Sequence, residues 1–176
     1  MSLKALLFLS LICLGLQGCK PASTTPSAYD KDGVKLTLPA GWKVSQDSNA
    51  AANRYLVIDT PGNAVMTINV LDAAIAPPLK QFVDSYIEVA IKETPVFTRT
   101  KGTIAPLDIE LNGSTIHALR NEFAMEVAGA SVPFKQDFYP MAGGSRIAYL
   151  ATLASNDEEA SVKGGFEQVL STFSLR

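Results

Sequence analysis

The sequence predicts an α+β domain, an α/β/α sandwich built on a central antiparallel sheet with a helix on each side. Three observations predict it. Short runs of period-two alternation recur between turn residues, as where Val34, Leu36 and Leu38 alternate with Lys35 and Thr37. Two segments carry helical spacing instead, one after Pro77-Pro78 and one at the C-terminal end. Apolar residues also fall on both faces of the late strands, so either a bulge intervenes or both sheet faces are covered, and Leu150 on the second face favours coverage.

Composition narrows the function classes. The chain has 176 residues, 15 Lys plus Arg against 17 Asp plus Glu, a net charge of −2 and a pI near 5.4. A nucleic-acid binder would show a basic face and a high pI. With 47% hydrophobic and 18% charged residues, the chain is globular rather than disordered. One histidine and two cysteines, with no C-x-x-C pair, weaken metal and disulfide readings.

Residues 1–18 read as a lipoprotein signal peptide. Lys4 precedes an apolar run from Ala5 to Leu16, interrupted only by Ser10 and Gly15. Twelve helical residues reach about 18 Å, short of a roughly 30 Å hydrocarbon core, which fits an export signal rather than a span. The run closes on Leu16-Gln17-Gly18-Cys19. This resembles the bacterial lipobox, with Gln17 departing from the usual small residue. The resemblance implies lipid attachment at Cys19, cleavage before it and acylation of the new amine. Ordinary secretion with a free Cys19 thiol is the alternative, but no good A-x-A cleavage site is present. Cleavage removes Cys13, so no disulfide is expected. Several acyl chains, at about 0.8 kcal/mol per buried CH₂, anchor firmly without a span. Lys20 follows Cys19; in enterobacterial-type lipoproteins that implies the outer membrane, facing the periplasm.

Residues 19–28 read as a lipidated flexible tether rich in Ser, Thr and Pro. The domain is expected over 29–176. Strand 34–38 ends at the Pro39-Ala40-Gly41 turn, and Trp42 and Val44 begin a second strand. Arg54–Thr60 and Ala64–Leu71 are strands joined by Pro61-Gly62-Asn63. A helix follows with Leu79, Phe82, Val83, Tyr86 and Ala90 on one face, and Pro95 stops it by Thr94. Strands are expected near Val96–Lys101 and Leu107–Leu111, with a hairpin at Asn112-Gly113 setting Asp108 opposite His117.

Two longer strands, Thr115–Val127 and Ser131–Tyr139, have an arguable register. A loop at Ala128-Gly129 pairs Phe123 with Phe134, Met125 with Val132 and Leu119 with Phe138 on one face. It pairs Glu122 with Lys135 and Arg120 with Asp137 on the other. A one-residue slip mixes the faces. Centring the next turn on Gly143-Gly144 sets Phe138 opposite Tyr149 and Phe134 opposite Leu153 in strand Arg146–Leu153. Ser155-Asn156-Asp157-Glu158 reads as a capping box opening the last helix, whose stripe is Val162, Phe166, Val169, Leu170 and Phe173. Gly164-Gly165 weakens that helix, so packing must hold it.

A family resemblance enters on these residues. Val34 to Trp42, a strand ending in Pro-x-Gly-Trp, looks like the first hairpin of the PsbP-like superfamily. The order of elements is similar too, including the Phe82/Tyr86 helix face and the closing Phe166, Val169, Leu170, Phe173 pattern. With the lipobox, the chain looks most like DcrB-like envelope lipoproteins. The resemblance implies a non-catalytic binding or scaffolding domain, anchored to the envelope membrane, with an envelope protein or lipid as partner and no cofactor.

Candidate chemistry is sparse. Asp108 and His117 resemble two-thirds of a hydrolase triad, with Ser114 or Ser131 as the nearby serine, but no G-x-S-x-G elbow is present and a cross-strand pair is the simpler reading. Asp157, Glu158 and Glu159 suit a helix start, where the macrodipole favours carboxylates, better than a cation site. Asp30-Lys31-Asp32-Gly33 begins like an EF-hand loop but lacks the closing ligands, so it reads as a turn. Gly143-Gly144 lacks the lysine and helix of a phosphate loop. Tyr55, Tyr139 and Leu150 could form an exposed apolar patch for a partner, but such residues are more often simply covered by a helix, and no site is named from them.

Overall fold

The structure, a computed structural model, describes residues 24–50, 53–93, 100, 102–127 and 129–176. The signal peptide, Cys19, the tether up to residue 23 and nearly all of the expected Val96–Lys101 strand lie outside them. The elements are β1 (Ser27–Lys31), β2 (Val34–Leu38), β3 (Lys43–Ala50), β4 (Asn53–Asp59), β5 (Val65–Asp72), α1 (Leu79–Glu93), β6 (Thr103–Leu111), β7 (Ser114–Val127), β8 (Ala130–Gly143), β9 (Arg146–Ser155), α2 (Asn156–Thr172) and β10 (Ser174–Leu175).

Among the described residues, seven strands form the main antiparallel sheet in the order β3-β4-β5-β9-β8-β7-β6, and β1-β2-β10 form a small second sheet. Strand alternation divides the apolar residues between two faces. One face carries Leu56, Ile58, Met66, Ile68, Val70 and Leu150, covered by Val34, Leu36 and Leu38 of β2 and by Val162, Val169 and Leu170 of α2. The other carries Phe138 and Ala151, covered by Val83 and its neighbours Leu79, Phe82 and Tyr86 of α1. The helix-on-each-side architecture therefore holds, with the small sheet sharing the α2 face.

Two tight turns follow the rule that both central residues need positive φ. They are Asp32-Gly33 (φ 49° and 79°) and Asn112-Gly113 (φ 51° and 79°). The β7–β8 register places Phe123 opposite Phe134, Leu119 opposite Phe138 and Arg120 opposite Asp137, as the alternation predicts.

Four expectations need correction. The β8–β9 register sets Phe138 opposite Ala151 and Phe134 opposite Ser155, two residues from the expected pairing, because Gly144 and Ser145 make the turn and Gly143 still belongs to β8. The faces survive because the displacement is even. β1 begins at Ser27, inside the segment read as tether, where Ser27 and Ala28 pair with Leu38 and Thr37. Ser155 makes no side-chain cap to the α2 backbone; its hydroxyl donates to Glu158 Oε2 at 3.2 Å. Lys135 stands opposite Glu122 in the ladder, but its ammonium reaches Glu159 of α2.

A buried arginine fastens the small sheet to the large one. Arg54 is 4% exposed, and its Nε and Nη2 donate to Asp47 at 3.0 and 3.2 Å. Nη1 donates to the Lys31 carbonyl at 2.7 Å and Nη2 lies 2.6 Å from the Tyr29 hydroxyl. These bonds hold the Asp47 carboxyl well below its ordinary range. Burial, and then the hydrogen bond to Asp47, push the Tyr29 phenol up to about 12.

Candidate functional site

A broad concavity among the described residues follows from where α2 sits. The helix packs on β2, β8 and β9, and β6 and β7 extend the sheet beyond them. A groove of about 830 Å³ lies between, within the size range of ligand sites. Leu107, Ile109 and Leu111 line it from β6, Tyr139 and Ala154 from the sheet, and Phe166 and Leu170 from α2.

Polar ties cross from sheet to helix at both ends. Asn112 Nδ2 donates to the Ser171 carbonyl at 2.8 Å. Lys135 Nζ lies 2.6 Å from Glu159 Oε2. Between them is a forked ion pair: Arg120 Nε and Nη2 donate to Asp137 Oδ1 and Oδ2, each at 2.7 Å. Tyr139 donates its hydroxyl to Asp137 Oδ2 at 3.1 Å. The fork raises the Arg120 pKa above its ordinary value, and burial, then the Asp137 charge, raise that of Tyr139. Among the described residues Arg120 Nη1 has no hydrogen-bond partner. The groove thus offers an apolar floor, matched charges and spare guanidinium donors.

A second cleft, about 410 Å³, lies between α1 and β4–β5, lined by Tyr55, Asn69, Phe82, Tyr86 and Val89. The buried Asn69 Nδ2 has no hydrogen-bond partner among the described residues.

The residues singled out from sequence fare differently. Asp108 Oδ1 and His117 Nδ1 are 2.9 Å apart, as the hairpin register requires, but the side chains are 63% and 81% exposed. Alternation puts Ser114 on the face opposite His117. Ser131 pairs with Glu126, nine residues up β7 from His117, about 30 Å at strand rise. The structure therefore does not assemble the triad. The carboxylates at the α2 start diverge: Glu158 accepts from Asn63 N–H at 2.8 Å while Glu159 engages Lys135. No metal-ligating cluster occurs among the described residues. Asp32-Gly33 is a hairpin turn and Gly144 another. The Tyr55, Tyr139 and Leu150 patch does not form: Leu150 is fully buried and Tyr139 nearly so, because α2 and the groove wall cover that face, while Tyr55 lies on the other. Cys19 lies outside the described residues.

Sequence reasoning paired Arg120 with Asp137 but missed the groove around them. Its signal was present: Leu107, Ile109 and Leu111 alternate on the face opposite Leu119 and Phe123, an apolar row that α2 covers only in part.

No protein-family model matches the chain, and no curated protein matches it. Solved structures do. The solution structure of cyanobacterial PsbP (CyanoP) from Synechocystis sp. PCC 6803 superposes with a TM-score of 0.52 at 13% identity, over 93% of this chain and 99% of that one. LpqN, involved in cell envelope biogenesis of Mycobacterium tuberculosis, superposes with a TM-score of 0.44 at 17% identity, over 86% and 89%. The CyanoP match shows the fold: this is a PsbP-like α+β architecture. Among the described residues no helix is long and apolar enough to cross a membrane.

Proposed function

We propose that this chain is a non-catalytic, lipid-anchored envelope protein of the DcrB-like kind, which binds a protein or lipid partner through the groove beside α2. Its PsbP-like module would hang from acylated Cys19 by a short tether, on the outer membrane and facing the periplasm. One observation carries the binding reading: the groove joins an apolar floor to charges already matched within the protein, Arg120 to Asp137 and Lys135 to Glu159. Such a surface recognises shape and apolar area. The lipobox-like Leu16-Gln17-Gly18-Cys19 supports the anchor.

Metabolic labelling with a palmitate analogue tests the anchor. Wild type is expected to take up label and sediment with membranes, and Cys19→Ser to do neither. An unlabelled wild-type chain overturns the localisation.

A further inference from the structure

We infer that the α2 groove holds a neutral, oxygen-bearing amphiphile, an acyl ester of the monoacylglycerol class, with its carbonyl on Arg120 and its chain along the apolar floor. The inference rests on the binding reading above and names the ligand class.

The donor count at Arg120 comes first. A guanidinium has five N–H donors, and the fork to Asp137 uses one on Nε and one on Nη2. Nη1 is left without a partner among the described residues, in a side chain 29% exposed that lines the groove. What remains at the centre is hydrogen-bonding capacity rather than net charge. Asp137 neutralises Arg120, Glu159 neutralises Lys135, and Lys163 lies 3.9 Å from Glu167. Glu110, also on the wall, accepts from Thr115. An added carboxylate or phosphate would face these acidic groups with no unmatched cation to receive it, whereas an ester carbonyl asks only for a donor.

The shape then separates a lipid from a peptide. The Asn112–Ser171 and Lys135–Glu159 ties bridge the sheet and α2 across the groove. From Glu159 to Ser171, twelve residues of helix span about 18 Å. An extended peptide running through would have to pass beneath both ties and order its N–H groups along a lining that alternates apolar residues with Glu110, Thr152 and Gln168. A hydrocarbon chain makes no such demand.

Two features make the test clean. Gly164 lines the groove and a Cβ there meets nothing within 4 Å, so Gly164→Leu is expected to place its side chain in the groove mouth. Trp42, the one tryptophan in the sequence, meets the groove-lining Phe166 edge-on at 5.2 Å between ring centroids, so its fluorescence reports on the groove. The full chain carrying Cys19→Ser, which removes the acylation site, is titrated with 1-decanoylglycerol, sodium decanoate and a blocked apolar hexapeptide. Calorimetry runs beside the Trp42 signal. Decanoylglycerol is expected to bind at least tenfold more tightly than decanoate, with Gly164→Leu and Arg120→Met each lowering its affinity at least tenfold. Equal or tighter decanoate binding, no decanoylglycerol binding, or binding indifferent to Gly164→Leu overturns the inference. Tighter binding of the hexapeptide, lost in Gly164→Leu, also overturns it but leaves the groove as a protein-binding site. Failure of Cys19 labelling removes the anchor without touching the groove measurement.

Discussion

The indole of Trp42 rests on the backbone of Gly165, so closely that a Cβ at that glycine would stand 2.4 Å from Cζ2. Trp42 is 8% exposed, and its ring meets Phe166 edge-on. The turn that delivers it is closed by a bond from Trp42 N–H to the Pro39 carbonyl at 3.1 Å, with Gly41 at φ 79°. The β2–β3 corner is thereby pinned to the middle of α2.

The two neighbouring glycines of α2 should respond in opposite directions. Gly165→Ala drives a methyl into the indole, and overpacking of this kind costs about 1–3 kcal/mol, more than the roughly 1 kcal/mol gained in helix propensity. Gly164→Ala meets open space and keeps the propensity gain, so it stabilises by about 0.5–1 kcal/mol. Urea denaturation midpoints measure both. Equal stabilisation by the two substitutions would disprove the contact.

The same distinction explains what the sequence made legible. Alternation and opposite charges specified the β7–β8 ladder down to Arg120–Asp137, because a slip of one residue exchanges its faces. Asn112-Gly113 specified the β6–β7 hairpin through its φ demand. Gly143-Gly144 misled because only Gly144 serves the turn. A Cβ on Gly143 would lie 2.2 Å from the Leu175 carbonyl, a contact made by a strand 32 residues on, which no local pattern records. β1 escaped for another reason: of Ser27 to Lys31 only Tyr29 is even half-buried, so no alternation marks it. The groove depends on how far α2 reaches across the sheet, which helical periodicity does not encode.

Acid should loosen the attachment of β1–β2 through Asp47. Its hydrogen bonds from Arg54, with those from Lys31 and Tyr29, lower its folded pKa below the unfolded value near 3.9. A depressed carboxyl stabilises the fold fully above the unfolded value, and that contribution is lost as pH falls from about 5 through the folded value. Asp47→Asn leaves the buried Arg54 charge with only the exposed Asp32 carboxylate, at 3.8 Å, and is expected to cost about 3 kcal/mol at pH 7. Its stability should fall less steeply than wild type below pH 5. Thermal unfolding of both chains between pH 2 and pH 7 checks this, and parallel curves would refute it.

His117 should be dispensable to the fold. Its bond to Asp108 is solvent-exposed on both sides, and exposed pairs contribute about 0–1 kcal/mol. His117→Ala is expected to change stability by under about 0.5 kcal/mol and to leave the proposed envelope role intact. Complementation of a deletion strain measures the second part, and failure of a stably folded, correctly localised His117→Ala chain would revive the hydrolase reading.

Glu158 joins the β4–β5 turn to the start of α2, and its removal should be felt at one amide. Oε1 accepts from Asn63 N–H at 2.8 Å and from Asn63 Nδ2 at 3.3 Å, while Oε2 accepts from Ser155. The turn leaves room for that carboxylate because residue 62 is glycine: a Cβ there would come within 2.6 Å of Oε1. Glu158→Ala removes a charged acceptor, worth about 1.5–3 kcal/mol when shielded and less at this partly exposed site, so a loss near 1 kcal/mol is expected. Hydrogen exchange localises it. The Asn63 amide should lose protection, while the amides of Ile58 and Ile68 inside β4 and β5 keep theirs, since the ladder remains intact. Unchanged protection at Asn63 would mean that the turn holds itself, and that the carboxylate only follows it.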